Sequence, residues 1–188
     1  MTAVERLFEE HALILQVIEA LDVLVNRLEA DTGDYRGELV RLMAFFSQFA
    51  DHLHHEKEES VLLPALVDAG LRWDDGVIAE VRRDHELERQ MLQSLRHCAL
   101  QNTPWSMMDR QRILDVGHQY AAFMRRHIST EDELLRPLIT SALNALAFQQ
   151  LNEHLERFDS RFEASGELAK HREFASLALS EQCAFART

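Results

Sequence analysis

A histidine and a glutamate four residues apart occur twice in this 188-residue chain, each pair followed six residues later by proline: His54 and Glu58 before Pro64, and His127 and Glu131 before Pro137. Residues at this spacing lie one above the other on a helix face, so each pair offers one nitrogen and one oxygen donor to the same point. The two stretches are 73 residues apart, and each half also opens alike, with Glu10-His11-Ala12-Leu13 and Asp84-His85-Glu86-Leu87. His11 stands 43 residues before His54 and His85 stands 42 before His127, the mark of two helical hairpins built to one plan. Six residues form the candidate constellation: His11, His54, Glu58, His85, His127 and Glu131.

The chemistry these residue types suit is metal ligation. Taken singly, a histidine in an apolar stripe is an ordinary hydrogen-bonded core residue, and a His/Glu pair on a helix is an ordinary surface pair. Here both carboxylates fall at inward positions, where an ionised group without a partner costs several kcal/mol or takes up a proton. The chain supplies no inward lysine stripe to balance them, and a pair of metal ions does. Mixed imidazole and carboxylate donors suit iron, manganese or zinc, and the absence of cysteine from the set removes the usual structural-zinc patterns. Two carboxylates able to bridge, with two histidines left for each metal, describe a dinuclear site with open positions, for which iron is the first choice.

The run Asp51-His52-Leu53-His54-His55-Glu56-Lys57-Glu58-Glu59 permits three registers, His52/Glu56, His54/Glu58 and His55/Glu59. His54/Glu58 alone reproduces the distance to proline seen in the second half. His55, about 100° away around an α-helix, is the reserve. His97, His118, His154 and His171 have no partner at useful spacing and read as surface or structural residues. Tyr120 lies two turns before His127 on the same face. Its hydroxyl is a candidate hydrogen-bond donor or redox-active phenol near the site, although the first reading is core packing with an outward-reaching hydroxyl.

Four amphipathic segments must position these residues. Leu7, His11, Ile14, Ile18, Leu21, Leu24 and Leu28 recur at three-four spacing before the turn formers Asp31-Thr32-Gly33-Asp34. A second stripe runs Leu39, Met43, Phe46, Ala50, His54, Glu58 and Leu62. The third has Ile78, Val81, His85, Glu88, Leu92, Leu95 and Ala99, and the fourth has Ile113, Val116, Tyr120, Met124, His127, Glu131, Leu134 and Leu138. An all-α, up-down-up-down four-helix bundle buries all four stripes in one core and brings the histidines to one end. Each proline should mark a kink or an end of its helix. The expected organisation is a metal-binding bundle over residues 1–140 and a C-terminal helical extension over 141–188, packed on or beside it, with Gly166 separating a fifth helix from a short, weaker helical tail.

Composition narrows the function classes. A formal net charge of −12 with no clustered Lys or Arg argues against a nucleic-acid or anionic-membrane surface. Cys98 and Cys183 occur singly, as reduced thiols of a cytoplasmic protein do, and the acidic, polar N-terminus MTAVERLFEEH does not read as a signal peptide. P-loop, dinucleotide-binding and Ser/His/Asp signatures are absent.

With these residues assembled, the chain resembles the hemerythrin-like (HHE cation-binding) family, whose relatives include proteins proposed to repair iron–sulfur centres. The stretch His54 through Pro64 looks like the family's second-helix motif and His127 through Pro137 like its fourth-helix motif; the likeness spans about Val4 to Leu138. The resemblance implies two non-heme iron ions, an oxo-bridged pair, with Glu58 and Glu131 bridging and His11, His54, His85 and His127 terminal. It also implies binding or sensing of O₂, NO or peroxide, or redox chemistry there. Myohemerythrin is itself a standard example of the up-down-up-down bundle, so that architecture is part of the resemblance. Oxygen-carrying hemerythrins place a second histidine four residues after that of the third helix, and Arg89 stands there in this chain, which leaves four recognisable histidines unless His55 fills the place. An extra open position suits activation or sensing of a ligand better than carriage. The alternative from another class is a helical interaction module whose zinc or single iron is structural.

Overall fold

The structure, a computed structural model, describes residues 1–31 and 33–185. Thr32 of the first turn and the side chain of Cys183 lie outside what is described. Helix α1 spans Ala3–Ala30. Helix α2, Arg36–Phe45, continues through two π-helical stretches, Phe46–His55 and Glu58–Leu62, into α3, Leu63–Asp68. Helix α4 is Gly76–Ala99, and α5, Met107–Thr130, passes through a π-helical stretch at Glu131–Leu135 into α6, Arg136–Ala142. Two further helices follow, α7 at Ala145–Ser165 and α8 at Glu167–Phe185.

The helix starts are capped by side chains that satisfy free N–H groups. Thr2 and Glu5 form a capping box on α1, and Ser106 and Asp109 form one on α5. Asp75 and Asn144 cap α4 and α7. Gly166 ends α7 in the left-handed region at φ 73°, where a glycine is favoured. Arg110, at the start of α5, donates to the carbonyls of Leu28 at 2.9 Å and Gly33 at 3.2 Å, closing the far end of α1.

The four long helical rods pack in sequence order around a ring: α1 touches α2, α2 touches α4, α4 touches α5 and α5 returns to α1. This is the up-down-up-down bundle the sequence predicts. Helices α7 and α8 lie against its outside, chiefly on α1. Leu151 and Leu155 of α7 join the apolar cluster of Leu7, Phe8 and Leu63, while Phe45 and Phe49 pack against His171 of α8. The expected short tail is therefore a docked helix.

One expectation is revised along the bundle axis. The histidines occupy a polar layer between two apolar clusters, not an open end. On α1 the residues up to Phe8 belong to one cluster and those from Ile14 to the other, with Glu10 and His11 between them. The same sequence recurs on α4, where Ile78 and Val81 precede Asp84, His85 and Glu88, and Leu92 follows.

Of the two outcomes expected at each proline, a kink or an end, the end does not occur: both rods continue past it. Pro64 has no N–H for the carbonyl of Ser60, and its ring crowds that carbonyl. The N–H of Leu63 reaches back five residues to the Glu58 carbonyl, and at the second proline the N–H of Arg136 reaches Glu131 in the same way. Each proline thus produces a π turn that starts at the glutamate itself, a form of helix found often at functional sites. The wider turn admits one extra residue and shifts the inward register. Leu135 and Ile139 are buried, whereas Leu134, expected inside, is 52% exposed.

Candidate metal centre

All six predicted residues meet in the polar layer, and a seventh joins them. His11, His54, Glu58, His85, His127, Glu131 and His55 are at most 2% exposed. Donor atoms of His11, His54, Glu58 and Glu131 lie within 4.8 Å of one another, and so do those of His55, His85 and His127. Nε2 of His11 and of His54 are 3.1 Å apart. On the other side the His55 ring stacks on His85, with centroids 4.0 Å apart, and meets His127 edge-on at 5.4 Å. His55 is thus no substitute for His54: both turn inward, because the π-helical stretch Phe46–His55 spreads more residues around each turn than an α-helix does.

The two glutamates span these groups. Glu58 places Oε1 3.8 Å from His54 Nε2 and Oε2 3.3 Å from His85 Nε2. Glu131 places Oε2 3.1 Å from His11 Nε2 and Oε1 3.2 Å from His127 Nε2. Each carboxylate therefore directs one oxygen to each side. Ordinary hydrogen bonds do not satisfy this arrangement. Both oxygens of both glutamates, Nε2 of His85 and both nitrogens of His55 and His127 are buried without a hydrogen bond. So many orphaned polar atoms in one buried layer is not how a protein core is normally satisfied. Seven imidazole and carboxylate groups converging on two positions fit a pair of metal cations.

Behind the histidines stands a second set of carboxylates that the spacing alone does not single out. His11 Nδ1 is 3.1 Å from Asp132, His54 Nδ1 is 3.0 Å from Glu10, and His85 Nδ1 is 2.7 Å from Glu59. Asp84 stands 3.6 Å from His127 Nδ1, and Glu88 stands 3.9 Å from His55 Nδ1. A carboxylate on the far nitrogen fixes ring orientation and leaves Nε2 free to ligate. The signal was present in the repeat: Glu10-His11 matches Asp84-His85, and Glu58-Glu59 matches Glu131-Asp132. Glu10 and Asp84 each serve their own hairpin, while Glu59 and Asp132 each cross to the other.

The electrostatics follow from this crowding. Burial opposes charge on His11, yet its contact with Asp132, the close approach of Glu131 and the charge of Glu58 raise its pKa to about 10. His85 is likewise held well above the ordinary histidine range, burial being outweighed by Glu131, Glu58 and Glu59. Burial works against charge on Glu131 too, but the charge on His127 and the close approach of His11 and His85 hold it well below the carboxylate range. His55 goes the other way, pushed down by burial and by the charges of His85, His127 and His54. The anionic layer demands positive charge, and burial among charged rings opposes His55 supplying it as a proton.

Tyr120 and Arg89 also find their places. The Tyr120 hydroxyl is buried, not outward, and donates to Glu88 Oε1 at 2.7 Å. Burial chiefly raises the Glu88 pKa, to about 7, with the Tyr120 hydrogen bond acting against the rise. Arg89 donates to Asp51 and to Glu59, both at 2.8 Å, and so steadies the carboxylate behind His85. The chain does contain one inward lysine, Lys57, but its ammonium points away from the bridging glutamates toward Glu10 and Asp159.

Comparison with known proteins agrees with the geometry. Residues 2–139 match the family profile described as Hemerythrin HHE cation binding domain. Uncharacterized proteins of Mycobacterium bovis and of Mycobacterium tuberculosis strains CDC 1551 and H37Rv are each 21% identical over 161 residues, covering 86% of this chain. The chain spans 62% of the length of these relatives. No solved structure matches it significantly. No helix among the described residues is long and apolar enough to cross a membrane.

Proposed function

The chain belongs to the hemerythrin HHE cation-binding domain family, and from that premise we propose that its polar layer holds two iron ions and binds or senses O₂, NO or peroxide. His11 and His54 serve one ion, His55, His85 and His127 serve the other, and Glu58 and Glu131 are shared. The observation that carries this reading is the division of each glutamate, with one oxygen toward each histidine group. His55 takes the place that Arg89 vacates in the oxygen-carrier pattern, so the nitrogen-rich side has three imidazoles without a second histidine on α4.

Bound iron supplies a redox-active Lewis acid to which small ligands coordinate. The protein's own groups set the terms. Asp132, Glu10 and Glu59 orient three of the imidazoles through Nδ1. The apolar clusters on either side of the layer exclude bulk water. Because every donor is buried, access favours diatomic or similarly small ligands over a bulky substrate. A role in repairing or supplying iron centres is a close variant of the same reading, since it needs the same pair of ions.

Metal analysis with the optical spectrum of aerobically purified protein tests this. Two irons per chain and a near-ultraviolet band that is lost on reduction are expected, with both diminished in His54→Ala and Glu131→Ala. Colourless protein carrying one zinc or no metal, or variants that keep two irons, would overturn it.

A further inference from the structure

Lys57 is among the most deeply enclosed side chains in the molecule, at 1% exposed, and it lies one residue before Glu58. Its ammonium donates to Glu10 and, at 3.0 Å, to Oδ1 of Asp159. Glu10 in turn presents its other oxygen to His54 Nδ1 at 3.0 Å. A continuous chain of charged contacts thus runs from α7 to a histidine of the centre, His54–Glu10–Lys57–Asp159. Asp159 lies beyond the last family-matched residue, 139.

The internal duplication supplies a control for what this chain does. In the other hairpin His127 answers to His54, Asp84 to Glu10 and Thr130 to Lys57. The Thr130 hydroxyl turns back to the carbonyl of Arg126 on its own helix, so this position offers Asp84 no ammonium. There the carboxylate, on a side chain one methylene shorter, stands 3.6 Å from its imidazole; where Lys57 and Asp159 are present the longer Glu10 stands at 3.0 Å. An ammonium has three donors and a buried one needs anionic partners on more than one side. Asp159 provides the outer partner, so that Lys57 stays drawn in against Glu10 and Glu10 against His54.

We propose that Asp159 is a positioning residue for the metal centre, and that α7 is the arm through which the C-terminal extension controls retention of the ion at the His11/His54 position. This rests on the two-ion reading above. The other position, served by His55, His85 and His127, makes no contact with the arm through this chain of charges and is not governed by it.

The test uses the full-length chain loaded with ferrous or cobaltous ion, measuring ions per chain and the rate of release to a chelator. Asp159→Asn keeps shape and drops charge. It should speed release of one ion by up to about tenfold, the low end of the effect of losing a direct outer partner of a ligand, because Asp159 acts through Lys57 and Glu10, and leave the other unchanged. Asp159→Glu should restore slow release. Asn152→Ala, which cuts the 3.1 Å link from α7 to the Val4 N–H without touching Lys57, should change neither rate. The double variant Lys57→Met/Asp159→Leu guards against a folding defect, because apolar replacement of a buried ion pair is commonly neutral; it too should release one ion faster. Equal acceleration of both ions, an equal effect of Asn152→Ala, or unchanged release from Asp159→Asn overturns the proposal while wild type holds two ions. Wild type holding fewer than two overturns the two-ion reading, and this proposal with it.

Discussion

Replacing His55 by leucine should move stability in opposite directions with and without metal. Both His55 ring nitrogens are buried without a hydrogen bond, and burial together with the neighbouring histidine charges keeps the ring neutral. A buried polar atom without a partner costs about 1–3 kcal/mol. Leucine removes both such atoms at similar volume, and the equivalent place in the other hairpin is already aliphatic: Ile128 sits there, 3% exposed. Taking the low end of that range, about 1–1.5 kcal/mol for each of the two atoms, and allowing about 1 kcal/mol for the mismatch between a flat ring and a branched chain, the variant should gain about 1–2 kcal/mol in the presence of chelator. That corresponds to roughly 2–4 °C in Tm per kcal/mol for a chain of this size. With metal in fixed excess the order should reverse, because each tenfold loss of affinity removes about 1.4 kcal/mol of ligand-linked stability. Paired urea and thermal unfolding, in chelator and in excess cobalt or ferrous ion, read both arms. A variant that is less stable than wild type in chelator would make His55 an ordinary core residue, and equal metal stabilisation of the two proteins would remove it from the donor set.

Two more outcomes follow from particular residues. The Glu88 carboxyl is raised by burial to about 7 from an ordinary 4.5, so its contribution is fully present below about pH 4.5 and is lost as pH rises through 7. In chelator, wild-type stability measured against E88Q should therefore fall between pH 5 and 7 and level off above; a difference that is flat or rises would refute the assignment. Gly117 on α5 leaves room for Val25 of α1, since a Cβ there would stand 2.7 Å from Val25 Cγ2. Gly117→Ala should gain about 1 kcal/mol of helix propensity but lose about 1–3 kcal/mol to overpacking, a net destabilisation in urea titration that Val25→Ala relieves when the two are combined.

The parts of this protein that were legible in its sequence are those governed by α-helical periodicity. Every residue of the α1 stripe from Leu7 to Leu28 and of the α4 stripe from Ile78 to Ala99 is buried as the spacing predicts. The six repeated residues all reach one layer. Periodicity fails where the helix leaves α geometry: Leu134 gives way to Leu135 past Glu131, and His55 turns in beside His54. Both follow from π turns, whose widening is set by a proline or by packing and is invisible to a fixed 3.6-residue count. His55 had no help from the repeat either, because its counterpart is Ile128. The outer carboxylates Glu10, Asp84, Glu59 and Asp132 were visible as a second duplicated pattern, but their roles depend on which helices face each other. Lys57, one lysine in a run of charged residues, carries no inward signal of its own, because its burial depends on Asp159 of α7.

The inequality between the two histidine groups bears on the order in which ions arrive. A pair of positions related by strict symmetry fills without preference, and half-loaded protein is then a mixture of two identical species. Exchanging the hairpins here sets Ile128 where His55 stands, so on the two-ion reading the two singly loaded forms differ by one imidazole. Later metals of the divalent series favour nitrogen donors more strongly than earlier ones do. A chain presented with two kinds of ion thus has a thermodynamic basis for placing them in a defined arrangement, one kind on each side of the shared glutamates.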